Sequence, residues 1–275
     1  MGSIRSKLRS VFPKPLWAFL RQVYLSVLLL PQVPGAYLHP WRRLSLQRLS
    51  ALKDVHRGKR AFLIGNGPSL RQTDLSLLRN EFTFGLNRIY LLFPELGFTT
   101  TYLVSINDLV IEQCRDEIAA LPIPKFLSWR SHRYFEGMRL SREALPTFLY
   151  TTYEKPTFAR DARFRLWEGA TVTYVALQLA FHMGFETVIL IGVDHNFVTR
   201  GPANQTVVSE GDDPNHFDPR YFGKGFRWQL PDLETSEIAY RMARRAYEQS
   251  GRQVLDATIG GKLTIFPKVD YYALF

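Results

Sequence analysis

From residue 60 onward, short blocks of consecutive apolar residues alternate with polar breaks carrying glycine or asparagine. Ala61–Ile64, Phe82–Leu86 and Thr101–Ser105 are three such blocks, and Lys125–Ser128 and Gln253–Thr258 continue the pattern. Each has the length of a buried strand and is too short for a helix. Thr187–Asp194 is the clearest example. Helical stretches fall between them: Leu70–Leu78, Leu109–Leu121, Tyr174–Met183, and Glu234–Gly251 with Ile238, Met242 and Ala246 on one face. Strands alternating with helices predict an α/β domain with a parallel sheet and crossover connections. Two stretches break the rhythm. Ser131–Arg165 is irregular and rich in aromatic and basic residues. Val198–Gly225 is long and polar, yet aromatics crowd its end. That density predicts a lid over substrate, at about residues 198–228.

Ligands of such sheets sit beyond the carboxyl ends of the strands, so the residues after each block are the candidates. The first block runs into Gly65-Asn66-Gly67, and Pro68 and Ser69 can open a helix. The local chemistry fits an ordinary tight turn and a phosphate seat equally well. Asn87-Arg88 and Asn107-Asp108 end the next two blocks. Three asparagines at equivalent strand ends, each with a donor and an acceptor, predict a ligand rim. Thr171 and Thr173 precede a helix, where they can cap it or touch a phosphate. Asp194 and His195 follow the clearest strand. Imidazole titrates near neutrality, so His216 in the lid is the preferred general base and His195 the second choice. Asp194 is open to orienting a histidine, binding a ribose or amine, or holding a metal.

Charge changes the picture at the start of the chain. The net charge is +10, with 46% hydrophobic residues in 275, which points to an anionic partner. Before Asp74 the only acid is Asp54, against a series of Lys and Arg from Arg5 to Arg60. Leu16–Leu30 is apolar but bounded by Pro15 and Pro31 and interrupted by Arg21 and Gln22. A bilayer-spanning helix needs about 20 apolar residues, so an in-plane helix is expected instead. Its buried face would be Trp17, Phe19, Leu20, Val23, Val27 and Leu28, with Arg5, Lys7, Arg9 and Lys14 at anionic headgroups. The alternative is a helix packed on the protein's own core. Trp41–Val55 reads as a second basic amphipathic helix. The expected organisation is therefore an arm over 1–56 and a nucleotide-binding catalytic domain over 57–275, cytoplasmic and peripheral on the inner face of the plasma membrane. The single cysteine, Cys114, excludes an internal disulfide and a cysteine-rich zinc site.

Several chemistries are absent as motifs. There is no GxxxxGK[ST], no HExxH, no GxSxG and no Asp-x-Asp, and Gly65-Asn66-Gly67 lacks the third glycine of a dinucleotide loop. Lack of Asp-x-Asp disfavours the transferases that hold a nucleotide diphosphate through a divalent ion. A nucleoside monophosphate sugar needs less neutralisation.

The segments Ile64–Leu70, Phe84–Arg88, and Gly184-Phe185 through Gly192-Val193-Asp194 resemble the MptE-like family, named for an archaeal 6-hydroxymethylpterin diphosphokinase. The same landmarks occur in order in bacterial lipooligosaccharide sialyltransferases and flagellin nonulosonate transferase-like proteins. The resemblance runs from about residue 58 to the C-terminus. It implies a Rossmann-like parallel sheet flanked by helices, a single-domain GT-A-like variant of the sialyltransferases. It also implies that Asn66, Ser69, Asn87 and Asn107 hold a cytidine nucleotide, with Gly65, Gly67 and Pro68 shaping that wall. Thr171 and Thr173 fall near the family's phosphate loop. Asn196 and Phe197 stand where the sialyltransferases carry phosphate-contacting tyrosines, and Phe226–Gln229 replaces the zone of their histidine base. Tyr221, Lys224 or Arg227 would then serve the phosphate. The first function implied is transfer of a sialic-acid- or nonulosonate-like sugar from a nucleotide donor, a CMP-sugar favoured, to a cell-surface glycan or glycolipid, without a cofactor. The second is an ATP-dependent pterin diphosphokinase, with magnesium held by Asp194, Asp108 and Asp212. The third is a non-catalytic nucleotide-sugar-binding membrane scaffold. Expected partners are the donor, the acceptor and an anionic membrane surface; nucleic acid is not expected, and self-association is open.

Overall fold

The computed structural model describes residues 32–199 and 201–275, and in the preceding stretch Leu16, Phe19, Leu20, Val23, Tyr24 and Val27. The first elements are helices α1 (Gln32–Leu38) and α2 (Pro40–Leu52). Strands β1 (Arg60–Ile64), β2 (Thr83–Leu86) and β3 (Tyr102–Ser105) follow, then α3 (Asp108–Ala120), β4 (Lys125–Ser128) and β5 (Thr147–Leu149). Two short strands, β6 (Thr151–Thr152) and β7 (Leu166–Trp167), precede α4 (Val172–His182) and β8 (Thr187–Ile191). The chain closes with the hairpin strands β9 (Thr206–Val208) and β10 (Arg227–Gln229), helix α5 (Leu233–Glu248) and β11 (Gln253–Asp256).

Seven strands form one sheet in the order β11-β8-β1-β2-β3-β4-β5, parallel throughout. Continuous apolar strands are needed because both faces are covered. Successive side chains of β1 go to opposite faces. Ala61 and Leu63 join the core with α4 and α5, whereas Phe62 and Ile64 join the core with α3 and the lid aromatics. The parallel sheet expected from the alternation, Rossmann-like as the resemblance implied, is thus the fold.

The structure differs from the sequence reading in four places. No α-helix follows Gly67; two 3-10 turns, Pro68–Gln72 and Leu75–Leu78, stand where a helix over Leu70–Leu78 was expected. Helix α5 buries Ala239, Tyr240, Ala243, Ala246 and Tyr247, while Ile238 faces solvent. The irregular stretch 131–165 contains the edge strand β5, which is only three residues long and so carries little pattern. Finally, α2 packs across that edge. Phe148 N donates to Ser45 Oγ at 2.8 Å, Arg48 donates to the Leu145 carbonyl, and His182 Nε2 lies 2.8 Å from the Leu49 carbonyl oxygen. Helix α2 covers an edge that would otherwise expose unpaired backbone groups. The folded unit therefore reaches back into residues that the sequence reading gave to the arm.

In the stretch of the expected in-plane helix, the six described residues are helical and exposed. Trp17, Leu28 and the cations Arg5, Lys7, Arg9 and Lys14 lie outside the described residues. No helix among the described residues is long and apolar enough to cross a membrane.

Candidate functional site

Strands β1 to β5 step outward in one direction, and β8 and β11 step outward in the other. The reversal falls between β1 and β8, the position where doubly wound sheets open a crevice. A cavity of about 530 Å³ lies there, walled by the residues after β1, β2, β3 and β8, the N-terminus of α4 and the lid. Asn66, Asn87, Asn107, Thr171, Thr173, Asp194, His195, His216 and Tyr221 all line it, as do Gly65 and Gly67. Pro68, Ser69, Lys224 and Arg227 do not line it. Lys224 is exposed, and Arg227 pairs with Glu112 at 3.0 Å on the outer surface.

The glycine loop is built for packing. Gly65 N donates to Ile191 O, and Gly67 N to Gly192 O, both at 2.8 Å. A Cβ on Gly65 would stand 2.2 Å from Gly192 O, and one on Gly67 would stand 1.7 Å from Asp194 Oδ2. Asp194 receives Ser69 N at 3.1 Å and Ser69 Oγ at 2.7 Å. Both carboxylate oxygens thereby help fasten the loop to the end of β8. With a five-residue 3-10 turn after it, the loop also lacks the aligned helix dipole that a phosphate seat would use. The helices that do open on the cavity are α3, α4 and α5, and the one whose start carries the two threonines is α4. Its N-cap Thr171 accepts from Thr173 N at 3.3 Å and lies 3.3 Å from the Tyr240 hydroxyl.

The asparagines divide in their duties. Asn107 caps α3, accepting from Leu109 N at 2.9 Å and Val110 N at 3.3 Å. Asn87 Oδ1 accepts from Ser105 Oγ at 3.0 Å. Asn66 is different: it is 9% exposed, lines the cavity, and its Oδ1 has no partner. A buried amide oxygen left unpaired costs about 1–3 kcal/mol, so it is an acceptor on this wall open to a donor group. Asn87, Ala170, His195 and Asn204 also line the cavity with left-handed φ values of 47°, 57°, 54° and 62°. Such strain gathers where a site over-determines the backbone.

The lid supplies the pairing of most chemical interest. Asp213, its side chain 1% exposed, holds His216 Nδ1 through Oδ2 at 2.6 Å. The same carboxylate accepts Asn215 N at 2.8 Å and Phe222 N at 3.1 Å, so it is fixed from three sides. The imidazole stacks on Tyr221 with centroids 4.0 Å apart. An Nδ1–H donated to the carboxylate leaves Nε2 as the acceptor. Burial pushes the Tyr221 hydroxyl well above its usual range, so it stays protonated. His195, by contrast, is turned to Glu237 of α5 at 3.2 Å.

The lid is packed rather than loose. Phe217 N donates to Asn66 O at 2.9 Å, and Arg71 Nε donates to Phe217 O. Buried Arg88 donates to Arg220 O at 3.0 Å and to Tyr221 O, with its guanidinium 5.2 Å from the Phe226 ring. Arg88 thus anchors the lid to the end of β2. Sequence reasoning placed Arg88 only at a strand end and gave Asp213 no role. The available signal was the i, i+3 spacing of Asp213 and His216.

The acids nominated for magnesium do not fit that task. Asp194 is bound to Ser69. Asp108 Oδ1 accepts Ser131 Oγ at 2.7 Å and Oδ2 accepts Arg133 at 3.2 Å. Asp212 is exposed, and it does not line the cavity. Among the described residues no group of three His, Cys, Asp or Glu is disposed to hold a metal ion.

A doubly wound parallel α/β domain with a polar cavity at its topological switch point is the class that fold and site define. Residues 43–200 match the family described as MptE-like, 6-hydroxymethylpterin diphosphokinase MptE-like, and the chain belongs to that family. No curated protein matches it. Among solved structures, the MAf glycosyltransferase from Magnetospirillum magneticum AMB-1 is similar at a TM-score of 0.48 and 15% identity over 89% of this chain. The chain spans 40% of that protein's length.

Proposed function

We propose that the chain is a glycosyltransferase. It moves a sialic-acid- or nonulosonate-like sugar from a nucleotide-activated donor, a CMP-sugar, to a glycan or glycolipid acceptor. What supports this most is the Asp213–His216 pair on the cavity wall. His216 Nε2 takes the proton of an acceptor hydroxyl as its oxygen attacks the anomeric carbon. The bond from that carbon to the phosphate oxygen breaks, and CMP leaves with the electron pair. Asp213 holds the ring and stabilises the imidazolium. The unpaired Asn66 oxygen and the N-terminus of α4 serve the nucleotide. The exposed helical residues Leu16, Phe19, Leu20, Val23 and Val27 support seating of the arm on an anionic membrane.

The test is incubation with CMP-, UDP- and GDP-sugars, and separately with ATP plus 6-hydroxymethylpterin, each with magnesium and with chelator. Release of CMP from a CMP-sugar in chelator is the expected result. Diphosphate transfer to the pterin would overturn the reading in favour of the activity in the family's description. For the arm, a chain lacking residues 1–34 is expected to leave anionic vesicles on sedimentation; continued binding refutes the seating.

A further inference from the structure

The cavity is unusual for one that takes an anionic donor, because most of its charged walls are acidic. Among the described lining residues, Asp108, Glu168, Asp194 and Asp232 carry carboxylates, and Arg133 is the one side chain with a permanent positive charge. Each acid has a partner. Glu168 pairs with buried Arg130 at 2.7 Å, Asp194 holds Ser69, and Asp232 caps α5 through Thr235 N at 3.0 Å. Asp108 and the Tyr134 hydroxyl fix one nitrogen of Arg133, Nη2, at 3.2 and 2.8 Å. The Arg133 side chain is 53% exposed, so it is aimed by two neighbours yet open to the cavity.

Its position decides what it can read. The Arg133 guanidinium is held by Asp108, just beyond the carboxyl end of β3, whereas the lid around His216 is fastened to the end of β1 by the bond from Phe217 N to Asn66 O. β1 and β3 are separated by two strand spacings, about 10 Å. The donor's phosphate must lie within a bond or two of the carbon that reacts beside His216. Arg133 is therefore a sugar unit or more away from the chemistry, on the far side of the cavity. On the reading of His216 as base, we propose that Arg133 selects an acceptor bearing its own anionic group, a phosphate or a carboxylate, remote from the hydroxyl that reacts. A guanidinium fork suits either group.

The proposal is tested by binding, on the full chain, with glucose 6-phosphate, glucuronate and glucose as probes of phosphate, carboxylate and neutral sugar. Calorimetry should show glucose 6-phosphate or glucuronate binding at least tenfold more tightly than glucose, and their difference tells phosphate from carboxylate. Binding should persist in saturating CMP. R133Q should erase the preference, and R133K should keep part of it, with unchanged melting temperature as the control for folding. Competition by CMP would overturn the proposal, because Arg133 would then hold the donor; equal binding of all three sugars would also overturn it. Failure of CMP-sugar turnover in the wild type is a separate result. It would remove the glycosyltransferase reading and leave the sugar-binding preference measured on its own terms.

Discussion

Two loops meet on the cavity wall, joined by the bond from Phe217 N to Asn66 O, and they differ in what their residues are for. Gly65–Ser69 carries the conspicuous glycines, yet its backbone is locked to Gly192 and its serine to Asp194. The segment Asp213–Tyr221 reads as an undistinguished polar loop, yet it presents an imidazole held by a buried carboxylate. Glycine marks close backbone approach, which a neighbouring strand demands as readily as a ligand does. An acid–base pair needs only two side chains and a fixed geometry, and it leaves almost no pattern.

The largest effect expected from this contrast is on turnover by the lid. H216A should lower kcat by about 10²–10⁴-fold, the usual worth of a general base. D213N keeps the size of the carboxylate but donates where it should accept, so it should lower kcat by a smaller factor while CMP affinity holds. Steady-state kinetics and CMP titration check both. Unchanged kcat in H216A would remove the lid's chemical role and with it the contrast.

The glycine loop should respond in stability instead. G67A pushes a methyl into Asp194 and should cost about 1–3 kcal/mol, as overpacking does, read from the urea midpoint. In a D194A background the clash is gone, so the added cost of G67A should fall below half of that. Additive costs would mean that the collision is not what Gly67 avoids.

The lid's readiness depends on Arg88. R88A removes charge-assisted bonds to two lid carbonyls, each worth about 1.5–3 kcal/mol. Amide exchange at residues 217–222 should quicken about tenfold or more, with β8 unchanged. Equal exchange in both proteins would show that the buried aromatics Phe217, Tyr221 and Phe222 hold the lid without it.

The same contrast explains what was legible in the sequence. Apolar runs such as Thr187–Ile191 announce a buried parallel strand because both faces must be apolar, so the sheet was readable. Strand ends were readable too, and Asn66, Asn87, Asn107, Asp194 and His216 do meet at one cavity. Hidden were the partners that decide roles. Asn107 serves as the cap of α3, Asp194 turns to Ser69, and Arg227 faces away. The cap is a local contact, but the other two reach across 125 and 115 residues, and no local period encodes them. Helix α2 was readable as amphipathic, but its partner was not: a basic helix looks alike whether it covers a sheet edge or a membrane. Its buried Ser45, bonded to Phe148, is the residue that decides in favour of the edge.

The smallest effect sharpens the contrast furthest. Ser69 lies off the cavity and gives both its N–H and its hydroxyl to Asp194. S69A removes one of those bonds and should cost about 0.5–1.5 kcal/mol of stability, more if Asp194 Oδ2 is left unpaired. Because the backbone bond from Ser69 N persists, the loop should keep its place and CMP affinity should change by less than threefold. A tenfold loss of CMP affinity with no loss of stability would return Ser69 to the nucleotide wall that the resemblance implied. The glycine loop would then be a ligand seat after all, and the two loops would share the binding instead of dividing into frame and chemistry.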